Sequence, residues 1–325
     1  MTTTLTTSRT YAGESDLQAI CDLLNLCDTV HTLDDNYSVD DLRLEFAHPR
    51  LDTARDLRLW EDGDGRLVGF GQLWIVEQAP DSQVADGFLY MRIHPEWHGP
   101  LDDEVIAWGE ERMREIGVER GRPALLRAGA VDHYTDLREA LERNGYTINR
   151  YFFTMERPLD LPIEERPLPE GYTLRHVEEE ADYARWVEAF NQSFIDHWNH
   201  HPTTLDEHMH WINNDPHYRK DQDLLAVTAD GTVAAFCFCI INPDENARNN
   251  RQAGWIATLG TRRGYRNIGL GRAMLLAGLR VLKQNSMTTA RLGVDAENPS
   301  GALRLYESVG FVRIQTRVSY ARELA

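Results

Sequence analysis

The sequence predicts an α/β protein of two tandem domains, each a central mixed, mostly antiparallel sheet flanked by helices. Three observations predict this class. The chain has 325 residues, about twice a common domain length. Residues 157–171, RPLDLPIEERPLPEG, hold four of the thirteen prolines near the midpoint and no periodic apolar run. Proline fixes φ and removes a donor, so this stretch reads as an extended connection. The apolar patterning on its two sides then repeats one order of elements, as an internal duplication would. The expected layout is a first domain over 1–157, a linker over 158–171 and a second domain over 172–325.

In the first half, 3.6-residue apolar spacing predicts helices over 15–27 and 39–47. Apolar and β-branched runs predict strands Leu57–Trp60 and Leu67–Val76, joined at Asp62-Gly63-Asp64-Gly65, and then Gly87–Ile93. A helix over 101–116, a strand near 123–128, a helix over 134–144 closed by Gly145 and a strand over 146–156 follow. The second half repeats this order. Helices near 180–194 and 204–214 precede strands 223–229 and 232–241, with a turn at Asp230-Gly231. Strand 253–261, helix 269–285, strand 289–295, helix 299–309 closed by Gly310 and strand 311–321 complete it.

Composition narrows the function. Hydrophobic residues make up 42% and charged ones 26%, which fits a globular chain and excludes wholesale disorder. No run of about 18 apolar residues is present, so no membrane span is expected. The net charge of −18 opposes phosphate backbones and anionic lipid, so neither nucleic acid nor membrane is an expected partner. MTTTLTTSRTYAGESD has neither a basic start nor an apolar core, so a cytoplasmic protein is expected. Cys21, Cys27, Cys237 and Cys239 form no CxxC pair and read as reduced, buried thiols.

The chemistry concentrates in IATLGTRRGYRNIGLGRAMLL, residues 256–276. A strand runs into Arg266-Asn267-Ile268-Gly269-Leu270-Gly271 and a helix begins at once. The free N–H groups of a first helical turn converge there, the helix dipole adds positive potential, and two glycines allow close approach. A pyrophosphate cradle is the physical inference. A dinucleotide fingerprint would want a third glycine where Met274 stands, and a P-loop would want Gly-Lys-Ser/Thr. A tight turn that binds nothing is the plain structural alternative. Downstream, LGVDAENPSGALRLYESVGF (292–311) predicts a short helix with Asn298 as N-cap, Pro299 at its first position and Gly310 beyond its end. Ala302, Leu303, Leu305, Tyr306 and Val309 form its apolar stripe, on which Tyr306 is either a core residue or a proton donor.

These two motifs together resemble the GNAT N-acetyltransferase superfamily over about residues 172–325. Arg266, Gly269 and Gly271 match its Arg/Gln-x-x-Gly-x-Gly/Ala signature, and Asn298, Ala302, Tyr306, Gly310 and Phe311 match its second motif. The resemblance implies acetyl-CoA as acyl donor and no metal. It implies backbone contacts to the pantetheine arm from Leu259, Gly260 and Thr261. It places the pyrophosphate on the amides of Arg266, Asn267, Ile268, Gly269, Leu270, Gly271 and Arg272. Asn298 and Ala302 would contact the cofactor, and Tyr306 would protonate the departing thiolate. The expected reaction is direct acetyl transfer to the amine of a small molecule, by a monomer or homodimer. A non-catalytic acyl-CoA-binding protein and an acyltransferase for a peptide or protein amine are the competing readings.

At the equivalent place the first half reads HisGlyPro-Leu-Asp-Asp-Glu, residues 98–104. Leu101 and Asp103 replace the two glycines, Pro100 removes an N–H, and Asp102, Asp103 and Glu104 put carboxylates where phosphates would lie. These acids are expected to satisfy their own helix start. Leu141 falls where Tyr306 would. The first half is therefore expected to keep the fold and lack the chemistry, an arrangement similar to that of the mycothiol synthases. Those enzymes carry a glutamate early in the strand before the cradle, where this chain has Trp255. Asp196, His197 and Trp198 are expected on the acceptor side, with Asp244 or Glu245 as further acids and Asp295 or Glu297 near the thioester. Six histidines between 197 and 217 read as a solvated polar segment rather than a metal site; the His197/His201 pair lacks an HExxH context.

Overall fold

The computed structural model describes residues 6–76, 82–198, 202–298 and 300–324. Two compact units emerge: residues 1–151 with 316–325, and residues 152–315. Each half of the sequence therefore gives its last strand to the other unit. The ladders show why: a strand of either half can complete a sheet edge, and sequence pattern alone does not name its partner.

The first unit contains β1 (Thr7–Thr10), α1 (Glu14–His31), α2 (Val39–Phe46), β2 (Leu57–Glu61), β3 (Leu67–Ile75) and β4 (Ala85–Ile93). It continues with α3 (Pro100–Arg120), β5 (Ala124–Val131), α4 (Thr135–Arg143) and the start of β6 (Thr147–Pro158). The second unit takes the remainder of β6, then β7 (Tyr172–His176), α5 (Ala181–Phe194), α6 (Leu205–Asn214), β8 (Asp223–Thr228), β9 (Val233–Ile240) and α7 (Pro243–Arg248). β10 (Ala253–Thr261), α8 (Leu270–Gln284), β11 (Thr289–Asp295) and α9 (Ala302–Ser308) follow, and β12 (Val312–Leu324) belongs to the first unit from Thr316 onward. The first sheet runs β1-β2-β3-β4-β5-β12, and the second β6-β11-β10-β9-β8-β7. β4 with β5 and β10 with β11 pair parallel; the other neighbours within each unit pair antiparallel. β12 joins the first sheet through Arg317–Leu324 against β5, and β6 joins the second through Phe152–Pro158 against β11.

Local chemistry sets the element ends. Ser38 with Asp41 and Thr204 with Glu207 form reciprocal caps that start α2 and α6. The turn at Gly231 (φ 85°) closes the β8–β9 hairpin. In the second unit one core cluster lies under α8 and α9, with Met274, Leu275 and Leu279 fully buried. Another lies under α5, around Trp186 and Phe236. All four cysteines are buried free thiols. No helix among the described residues is long and apolar enough to cross a membrane.

Three elements lay outside the sequence reading: β1, β7 and α7. Each is short, and apolar periodicity needs more residues to declare itself. The linker is also less free than its composition suggests. Arg157, 3% exposed, donates to the carbonyls of Val309, Pro158 and Pro162. Arg272 holds Glu164 by its carboxylate at 2.8 Å, and Arg280 donates to the Glu164 carbonyl. The segment is thus strapped across α8.

Candidate active site

The parallel pairing of β10 with β11 lasts only from Ala253–Trp255 against Thr289–Arg291. The β10 register on β9 then shifts between Ile256 and Thr258, a bulge at Ala257. A bulge bends its strand and increases its twist, and from here β10 leaves β11. Among the described residues no strand lies beside the edge of β10 from Ile256 to Thr261 on that side, and β11 continues along β6 to Asp295. The result is a fork lined by backbone donors and acceptors that need an extended partner.

Leu259, Gly260 and Thr261 are the last residues of β10, at the open end of this fork. Gly260 is also required by packing, since a Cβ would collide with the Phe236 ring. A short 3-10 turn, Arg263–Tyr265, leads to Arg266, whose guanidinium folds back onto the carbonyls of Thr261 (3.1 Å) and Ser193 (2.7 Å). Asn267 (φ 65°) and Gly269 (φ 88°) take left-handed conformations that turn the chain into α8. Gly269 is the N-cap of α8 and provides no side-chain cap, so the amides of Leu270, Gly271 and Arg272 keep their hydrogen-bonding capacity. A Cβ on Gly271 would stand 3.2 Å from Thr261 Oγ1, which keeps the strand end and the helix start close. Ile268 is exposed and Leu270 buried. These residues do converge.

One cradle residue was invisible in the sequence. A Cβ on Gly269 would lie 3.1 Å from Arg166 Nη2, so a linker guanidinium stands over the α8 N-terminus. Arg262, Arg263, Arg266 and Arg272 each hydrogen-bond a carboxylate, whereas the ion-pair partner of Arg166, Glu164, is 3.7 Å away. A cation at the positive end of a helix dipole is unfavourable unless an anion sits between them. No spacing rule could have singled out this arginine, because a folded strap delivers it.

The α9 region corrects one reading. Its helix starts at Ala302 with Gly301 (φ 74°) as N-cap, rather than at Pro299 with Asn298. Asn298 instead accepts hydrogen bonds from the backbone and hydroxyl of Ser300, forming a turn ahead of the helix. Pro299 lies outside the described residues. Tyr306 is 8% exposed and packs with Leu270, Met274 and Phe311. Among the described residues its hydroxyl has no hydrogen-bond partner, and it is not among the fully buried unpaired polar atoms. Burial, and secondarily nearby Cys237, push its pKa well above the ordinary phenol range. The ring therefore carries its proton at any working pH.

Of the residues expected on the acceptor side, Asp196 pairs with Arg263 and Arg266 and so braces the loop. The Trp198 ring rests against Phe152 at 5.6 Å, and His197 Nδ1 lies 3.0 Å from the Trp198 carbonyl. Glu245, expected on a polar loop, belongs to α7, where it pairs with Arg251 and meets Trp255 Nε1 at 3.4 Å. A carboxylate thus stands against the residue where the resembling enzymes carry glutamate. Asp295 is buried at the end of β11 and accepts from the Glu297 amide, while Asp244 and Glu297 are exposed. The histidine segment is not uniformly solvated: His208 is 6% exposed and stacks on Trp186, and desolvation lowers its pKa to about 4. His200 and His201 lie outside the described residues.

In the first unit the corresponding helix start is occupied by its own side chain. Asp102, 1% exposed, accepts from the Gly99 amide at 2.6 Å and lies 3.0 Å from His98 Nδ1. The other two acids differ from expectation. Asp103 binds Arg143 and Asn144, and Glu104 accepts from the Trp60 indole, because cations and donors from neighbouring elements reach them first. Leu141 is fully buried.

A forked parallel pair, an uncapped glycine-rich helix start and a tyrosine on the following helix together define the GNAT class, and this chain belongs to that acetyltransferase family. The Acetyltransferase (GNAT) family pattern matches residues 183–311. Among individual relatives, a mycothiol acetyltransferase of Salinispora arenicola is 31% identical over 267 residues, covering 80% of this chain and 79% of its own. The fold is shared with a GCN5-related N-acetyltransferase from Sphaerobacter thermophilus (TM-score 0.75, 22% identity, 98% of this chain and 96% of that one). It is also shared with a tandem GNAT protein from the clavulanic acid biosynthesis pathway (TM-score 0.72, 16% identity, 99% of each chain). The chain is an acyltransferase.

Proposed function

We propose that the second unit takes acetyl-CoA and transfers its acetyl group directly to the amine of a small molecule. The observation that carries this reading is the fork: an unpaired backbone edge that ends beside an uncapped helix start. The residues fit the group, since an extended amide-bearing arm matches the edge and a pyrophosphate matches the amides of Leu270–Arg272. A Cβ on Gly271 would intrude there. Acetyl-CoA supplies an acyl group activated as a thioester. Leu259, Gly260 and Thr261 hold the arm, Gly269 and Gly271 admit the phosphates, and Arg166 adds charge to them. Asn298 and Ala302 border the cofactor from the α9 side. A backbone N–H at the fork polarises the carbonyl, and Tyr306 donates its proton to the leaving sulfur. The amine nitrogen bonds to the carbonyl carbon as the carbon–sulfur bond breaks, and the proton that the amine sheds passes through solvent to restore Tyr306. The mycothiol acetyltransferase relatives support a small-molecule amine as acceptor, at identities that leave its structure open to assay. Release of free thiol from acetyl-CoA across a panel of amines tests the proposal. Turnover with small amines, dependent on Gly271 and Tyr306, is expected; CoA binding without turnover of any amine would refute transfer.

A further inference from the structure

The first unit brings together side chains that the sequence spacing gave no reason to combine. His31 is the last residue of α1, His98 lies between β4 and α3, and Asp136 is in the first turn of α4. One ligand atom from each lies within 4.8 Å of the others. Two features set this apart from chance proximity. The Asp102 carboxylate, itself 2% exposed, lies 3.0 Å from His98 Nδ1. It favours the proton on Nδ1 and leaves the Nε2 lone pair, 3.3 Å from the Tyr134 hydroxyl, able to accept or to ligate, as carboxylates behind metal-bound histidines do. His31 Nε2 is buried and has no hydrogen-bond partner among the described residues.

We propose that His31, His98 and Asp136 form a site for one divalent first-row transition ion, Zn2+ foremost, which clips α1, the β4–α3 loop and α4 together. Two imidazoles and a carboxylate suit that ion class, and a fourth position stays open to water. Ligand atoms around tetrahedral zinc lie about 3.3 Å apart at bond lengths near 2.0–2.1 Å. The present spacing, within 4.8 Å, must close by about 1.5 Å at most, and Asp136 is exposed and has room to move. Tyr134, whose hydroxyl is 3.3 Å from His98 Nε2, gives up that contact to the ion. The nearby Arg92 cation is already paired with Asp35, and Asp102 and Asp136 provide two negative charges.

Zn2+ titrated into the full chain after chelator treatment tests this, with Co2+ as spectroscopic probe. One equivalent should bind, His31→Ala and His98→Ala should each weaken it by about 100-fold, and both should abolish the visible bands of tetrahedral Co2+. Histidines of the second unit can take up metal adventitiously. A His31→Ala/His98→Ala double variant with wild-type zinc affinity and an unchanged Co2+ spectrum would overturn the proposal. Should the alanine variants fail to fold, Asp136→Asn at its exposed position must still weaken binding about tenfold; wild-type affinity in that variant would equally overturn it.

Discussion

Replacing Gly271 with glutamate puts a carboxylate where the proposal puts pyrophosphate. Gly271 is the second residue of α8, and a Cβ there meets only Thr261 Oγ1 at 3.2 Å and Leu305 at 4.0 Å. The hydroxyl can rotate, and an acid in the first turn of a helix stabilises it by about 0.3–1 kcal/mol, so the fold should persist. The new charge has a larger effect on the ligand. Two unit charges about 4 Å apart repel by about 1 kcal/mol in water and about 4 kcal/mol at an effective dielectric near 20. With about 1.4 kcal/mol per tenfold in affinity, the Kd for CoA should rise by roughly 5- to 700-fold. Calorimetric titration reads the Kd, and a melting curve checks the fold. Gly271→Ala separates bulk from charge and should cost far less. A folded Gly271→Glu protein with wild-type CoA affinity would refute the cradle.

Further outcomes follow from the same geometry. CoA should bind with one equivalent per chain, because Asp102 occupies the helix start of the first unit; calorimetry showing two equivalent sites would contradict that. Arg166→Gln should weaken CoA by about tenfold, the loss of one charge-assisted contact, without lowering the melting temperature. Comparison with dephospho-CoA tells whether Arg166 serves the pyrophosphate or the 3′-phosphate. Asp223 is buried against Trp186 and Tyr218, and desolvation raises its pKa to about 7. Its unfolded value is about 3.9, so the folded state prefers the protonated acid. That contribution is full below about pH 4 and is lost as pH rises through about 7, roughly 4 kcal/mol in all. Asp223→Asn should therefore flatten the melting temperature between pH 4 and 8 relative to wild type, and parallel curves would exclude the effect.

The fold was legible because long periodic segments carry their own signal: α3, α8 and the β8–β9 hairpin stand where apolar spacing put them. Strand exchange was not legible, since the alternation in β6 and β12 describes a buried strand without naming its neighbour. In the site, glycines and a tyrosine at fixed spacing marked the candidate cradle and the candidate acid. The start of α9 was misread because Asn298 and Pro299 also suit a turn, and Gly301 performs the capping. Arg166 and Glu245 depend on tertiary placement, through a strapped linker and a six-residue helix, and no local pattern announces either. The histidine reading failed at His208 for another reason: it treated the six histidines as one segment, whereas His208 shares the buried stripe of α6 with Ile212 and stacks on Trp186.

The most direct test of acyl transfer in the second unit is Tyr306→Phe, measured for turnover, CoA affinity and melting temperature. The ring stays packed and only the proton donor is lost. CoA affinity should be nearly unchanged, since the contacts that hold it lie at the fork and the helix start. Turnover should fall by about 100-fold, the low end for loss of a general acid, because CoA thiolate leaves tolerably without help. The hydroxyl has no hydrogen-bond partner among the described residues, so the melting temperature should hardly move. Wild-type turnover per folded molecule, with or without a change in stability, would contradict the account.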